Sequence, residues 1–136
     1  MDPALLQLTA LTKFFVYFGT ALVLTVLFAF IYAKITPYQE VRLIREGNTA
    51  AAYSLSGALL GFVIPLASAI IHSVSLPDMV VWGVVALVVQ LATYFVVSRM
   101  LRNIADEIRA DRIGKGLFLG AVSIIVGILN AACMSY

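Results

Sequence analysis

Gln90 is the residue best placed to do chemistry in this sequence, because it stands midway along 79–98, a run with no Asp, Glu, Lys or Arg. An amide in hydrocarbon must find a partner. That partner is either another helix or protomer, a contact worth about 1 kcal/mol, or a permeating or bound ligand. Asn130, one to two turns before the end of the last apolar run, could cap the backbone that Pro65 opens, since a freed carbonyl in lipid is costly. Thr25, Thr93 and Ser123 can each bond a carbonyl of their own helix.

The remaining reactive groups are few. His72 is the single histidine and Cys133 the single cysteine. One of each cannot build a tetrahedral metal site, so neither a metal nor another cofactor is expected. Interfacial hydrogen bonding is the expected use of His72. Cys133 reads as a small apolar residue, with an interchain disulfide as the sharper option. No HExxH, CxxC, glycine-rich phosphate loop or Ser/His/Asp set is present. No carboxylate, Lys or Arg falls inside the charge-free runs at the centre of the expected spans, which argues against proton-coupled transport and intramembrane hydrolysis, and so against an enzyme.

The elements that must position these residues are membrane helices. At 136 residues, 62% hydrophobic, with a mean hydropathy of +1.04, the chain lies outside the range of soluble domains. Runs 14–33, 47–77, 79–98 and 116–136 carry no Asp, Glu, Lys or Arg. Each is long enough for the roughly 20 helical residues that cross a bilayer. The expectation is an all-α integral membrane protein, a single membrane domain over 1–136, with spans at about 13–35, 49–72, 77–100 and 113–134. Residues 4–12 are expected to lie along the interface ahead of the first span. Asp2 and Lys13 break the pattern of a cleaved signal peptide.

Eight of the nine Lys and Arg fall in the connections between spans one and two and between three and four. The positive-inside rule turns both loops to the cytoplasm and both termini outward. Lys13, at the outer end, can snorkel. Within the loops, Val41 and Ile44, then Ile104 and Ile108, are spaced for short amphipathic helices on the headgroups. Glu40 and Glu46 stand among the basic residues of the first. Arg42, Arg45, Arg102, Arg109 and Arg112 are candidate contacts for anionic lipid or a cytoplasmic partner. Interleaved acidic residues argue against a nucleic-acid patch.

A shift of 64 residues relates the two halves, about 13–72 and 77–136: Phe18-Gly19 falls on Trp82-Gly83, Leu27 on Leu91 and Ile44-Arg45 on Ile108-Arg109. Each half is a long helix, a basic loop and a small-residue helix, giving two hairpins in parallel repeat. Ser54, Gly57, Gly61 and Pro65 line one side of the second span, and Gly116, Gly120, Ser123 and Gly127 one side of the fourth. Small residues at this spacing let backbones approach in lipid, so a dimer or higher homo-oligomer touching through these two helices is expected.

The blocks IREGNTAAAYSLSGALLGFVIPLASAIIHS, WGVVALVVQL and GILNAACM occur in order, and the chain from 14 to 135 resembles the YjfL-like bacterial inner-membrane proteins, small four-helix proteins of unknown function. It departs from that family at Asp111-Arg112, where an echo of Gly47-Asn48 would be expected. The resemblance implies a tandem-hairpin protein of the inner membrane that keeps company with membrane-stress and membrane-remodelling proteins, and it supplies no catalytic residue. With packing devices abundant and reactive groups scarce, the expected function is a non-enzymatic, homo-oligomeric scaffold or adaptor, its loops presented to a peripheral membrane protein. The alternative is a small channel whose protomers surround a pore lined by Gln90, Ser54, Thr25 or Ser123.

Overall fold

Side-chain caps start three of the six helices in the computed structural model, which describes residues 2–134. The outermost residues of the expected domain, 1 and 135–136, lie outside the described residues. Helix α1 spans Pro3–Ile35, α2 Glu40–Arg45, α3 Thr49–His72, α4 Leu76–Met100, α5 Ile104–Arg109 and α6 Ile113–Cys133. The side chains of Asp2, Asn48 and Ser75 accept from backbone N–H groups in the first turns of α1, α3 and α4. Pro3 and Pro77 sit in first turns, where their missing N–H costs nothing. The four long helices are each apolar and long enough to cross a membrane, and α2 and α5 sit in two of the connections. The protein is an all-α integral membrane protein, as expected from its sequence.

One boundary differs. Residues 4–12 form no separate interfacial lead-in; they are the first turns of α1, a continuous helix of 33 residues. Nothing between Pro3 and Phe14 breaks a helix, and Thr9 and Thr12 bond carbonyls one turn back. At about 1.5 Å per residue, α1 is near 50 Å long, more than the hydrocarbon needs.

Helices α3 and α6 run in the same direction and make the closest contact. A Cβ on Gly57 would strike the backbone of Gly120, one on Gly116 would strike Ala50, and one on Gly127 would strike Gly61. The small-residue stripes therefore face each other within one chain. The contact they make here joins two spans of the same chain. Helix α4 packs on both members of the pair. Helix α1 is held by a narrow strip, Leu24, Phe28 and Tyr32, with Phe28 stacked on Phe62 of α3 at 4.6 Å. Phe14, Phe15, Val23, Val26 and Phe30 point outward.

Pro65 lies inside α3 and has no N–H for the Gly61 carbonyl. Gly127 packs directly on that carbonyl, a Cα–H contact that only a glycine backbone can bring so near.

The two short helices and the turns after them are built alike. Gly47 has φ +88° and Asp111, 64 residues on, has φ +57°. Both are left-handed, and Asp is among the few side chains that tolerate this region. The departure at Asp111-Arg112 thus leaves the shape of the turn unchanged.

Candidate functional site

Polar side chains gather at two depths. At mid-span, Gln90 of α4 is 1% exposed and its Nε2 donates to the Ser123 carbonyl of α6 at 3.0 Å. Gly61 lies against both groups, and a Cβ there would press on them. Gln90 thus closes the seam of three helices. The residues named beside it as pore lining are committed as well: Ser54 Oγ donates to Ala51 O at 3.1 Å, Ser123 Oγ to Leu119 O at 2.9 Å and Thr25 Oγ1 to Ala21 O at 2.8 Å. Thr93 bonds Val89 O at 2.8 Å. Asn130 does not cap the backbone at Pro65: its buried Nδ2 has no partner among the described residues, and Gly127 covers the freed carbonyl. His72 Nδ1 lies 3.0 Å from Ser68 O, at the end of α3 opposite the short helices, and Cys133 is an exposed free thiol. Among the described residues no three of His, Cys, Asp and Glu could hold a metal ion.

The second centre is at the end that carries α2 and α5, where the two connections interlock. Asn48 caps α3 through Oδ1, and its Nδ2 donates to Ile108 O of α5 at 2.8 Å. Asp111 returns the contact, accepting from Ala50 N of α3 at 2.9 Å. Arg109 of α5 donates to Pro37 O, just before α2, at 2.7 Å and pairs with Asp106 at 3.0 Å. Three long-range hydrogen bonds thereby make one unit of two loops.

Glu40, the first residue of α2, is turned into this unit and is 1% exposed. Around it stand Tyr38 and Thr36 from the same connection and Tyr32 from α1. Beyond them Tyr94 of α4 meets Tyr32 edge-on at 5.6 Å. Both Glu40 oxygens and the hydroxyls of Tyr32 and Tyr38 are buried without a hydrogen-bond partner within 3.5 Å among the described residues. Burial pushes the Glu40 carboxyl up to about 8, an effect that the nearby Thr36 and Tyr38 hydroxyls partly offset. Burial, and then the neighbouring Glu40, also push the Tyr38 phenol well up.

The basic residues face outward. Arg42 pairs with Glu46 at 3.3 Å and Arg112 with Glu107 at 3.7 Å, while Arg45 and Arg102 are exposed on the same surface. Exposed pairs of this kind add little stability. Lys34, Arg42 and Arg45 rim a cleft of about 520 Å³ whose wall includes Phe30 and Val41.

The family model described as Domain of Unknown Function (DUF350) matches residues 5–134. The chain belongs to the DUF350 family. Its likeness to the UPF0719 inner membrane protein YjfL of Escherichia coli (strain K12) is 43% identity over 129 residues, covering 95% of this chain and 98% of that protein. The UPF0719 transmembrane protein YshE of Bacillus subtilis (strain 168) is 29% identical over 118 residues, 85% of this chain and 88% of that one. No solved structure matches. The resemblance seen in the sequence is therefore borne out.

In this DUF350 chain the loop-end carboxyl is what sequence reasoning missed. Val41 and Ile44 are exposed, as an interfacial helix requires, but Glu40, at the start of the same helix, is buried. The signal was available in the shift of 64, which superposes Glu40 on Ile104, a buried apolar residue of α5.

Proposed function

We propose that this protein is a non-enzymatic adaptor of the inner membrane, presenting the surface formed by α2 and α5 to a peripheral membrane-maintenance protein. The observation that carries this reading is the interlock through Asn48, Asp111 and Arg109, which makes one preformed surface of two connections. A preformed surface pays little ordering entropy when a partner docks. By the positive-inside rule we read its basic residues as keeping it in the cytoplasm, with both termini outside. We read the matched short helices and left-handed turns as a parallel duplication of one hairpin, with α3 and α6 meeting near its pseudo-twofold axis. Since those two helices use their glycine faces on each other, a homo-oligomer would be built on the outer sides of α1 and α4. The channel reading draws less support, because the hydroxyls of Ser54, Thr25 and Ser123 and the Nε2 of Gln90 are spent on backbone carbonyls, leaving of these side chains only the Gln90 Oε1 without a partner among the described residues.

Photocrosslinking in living cells tests the adaptor. A crosslinking side chain at Arg45 or Arg102 should give a discrete adduct to a different protein, and one at Val23, on the outer side of α1, should give no protein adduct other than to a second copy of this chain. Adducts to lipid alone from both loop positions would overturn the reading.

A further inference from the structure

We propose that Glu40, Tyr32 and Tyr38 form a proton-binding site at the loop end of the bundle, and that loss of its proton releases α2 from the bundle, where it packs chiefly on α3. Four polar atoms converge there with no hydrogen-bond partner among the described residues: both oxygens of Glu40 and the hydroxyls of Tyr32 and Tyr38. A carboxyl that keeps its proton stays neutral in this buried place, and the nearby Thr36 and Tyr38 hydroxyls, which favour the ionised form, offset the effect of burial only in part. A carboxylate can only accept, and it brings a buried charge with no cation to meet it.

Among the described residues no cation pairs with Glu40, although Lys34, Arg42 and Arg45 line the cleft beside it. From α1 comes Tyr32, and from α4 Tyr94; α3 contributes Ser54, which does not titrate and donates to Ala51 O. From α5 comes Arg109, whose two terminal nitrogens serve Pro37 O and Asp106. On α2 itself Arg42 is held by Glu46 and Gln39, and Arg45 is exposed. Lys34 at the end of α1 lies over the Phe30 ring at 5.2 Å. The ion pairs among the described residues are Arg42–Glu46, Arg109–Asp106 and Arg112–Glu107, none with Glu40.

A comparison within the chain separates this site from ordinary packing. Ile104 fills the matching position of α5, buried at 4% exposure, so the fold at this place is satisfied by an apolar side chain. Glu40 adds a titratable group that packing does not ask for. Burial holds its pKa near 8, within reach of the pH on the loop side. On ionisation the proton leaves to loop-side water, and the charge is relieved by moving Glu40 outward. The moving part is small: α2 has 6 residues, with Pro37 before it and Gly47, at φ +88°, after it.

Infrared spectroscopy and hydrogen exchange on the full chain in lipid vesicles test this, whether or not the adaptor reading holds. Wild type should show the carbonyl band of a protonated carboxylic acid that fades as pH rises through about 8, and Glu40→Gln should lack it. Corrected for intrinsic rates, exchange of the α2 amides should rise by up to about tenfold per pH unit as pH climbs toward that transition, level off above it, and stay flat in Glu40→Gln. Tyr38→Phe, which loses a hydroxyl that favours the ionised form, should move the wild-type transition to higher pH. Absence of the band at pH 6, a rise in exchange that persists in Glu40→Gln, or an unmoved transition in Tyr38→Phe would overturn the proposal.

Discussion

Single atoms decide two outcomes in this protein. At Gly61 a methyl group would meet the Ser123 carbonyl and the Gln90 amide, while at Gly19, on the outer side of α1, it would meet nothing within 4 Å. Gly61→Ala should therefore cost about 1–3 kcal/mol, as overpacking does. Gly19→Ala should cost nothing and gain up to about 1 kcal/mol from helix propensity. Thermal melts of the two variants in one detergent check the difference, and equal melting temperatures would remove the tight α3–α6 seam. At Glu40 the sign follows from linkage. Its pKa is raised on folding, from 4.5 to about 8, so the folded state binds the proton more tightly than the unfolded chain does. That contribution is fully present below the unfolded value and is lost as pH rises through about 8, at roughly 1.4 kcal/mol per pH unit between the two. Glu40→Ile, which copies Ile104, should match wild type in acid and exceed it in melting temperature at pH 9. Parallel melting curves from pH 6 to 9 would contradict it.

Between elements, the energy is uneven. Helices α3 and α6 touch along backbone, α4 closes on both through Gln90, and α1 adds only one strip of side chains. The tightest contact thus joins residues from opposite halves of the chain. If the chain is divided at Val74, in the exposed connection between α3 and α4, the coexpressed pieces should copurify from membranes. Gly120→Leu in the second piece should abolish recovery of the first, because Gly120 lies on the Tyr53 carbonyl and on Gly57. Recovery undiminished by Gly120→Leu would place the association elsewhere. The four long helices were legible in the sequence because hydropathy and charge-free length are local properties. The position of α2 and α5 was legible for the same reason. Which face of α2 turns inward was not, since it depends on where Tyr32, Tyr94 and Ser54 arrive from three other helices. The partner of the glycine stripes was not legible either: a stripe records that a backbone comes close, and the same residues serve a contact within one chain or between two.

The molecule as a whole is polarised, with exposed guanidinium groups gathered around α2 and α5 and the opposite end nearly free of charge. Lys and Arg resist translocation, so this distribution predicts that the loop end stays in the cytoplasm. The adaptor surface and the Glu40 site both depend on that choice, because each needs the loop end to face the cytoplasmic solution. The chain carries its own probe: Cys133 is its single cysteine, exposed at the end opposite the short helices. A membrane-impermeant maleimide added to intact spheroplasts should label wild type and not Cys133→Ser. With Cys133→Ser as background, Arg45→Cys should be labelled only after the membrane is permeabilised. The reverse pattern would put α2 and α5 outside, expose Glu40 to a different pH and leave the basic surface without its proposed partner. Labelling of both positions in sealed spheroplasts would mean that copies insert both ways, which a bias of eight basic residues to one side should prevent.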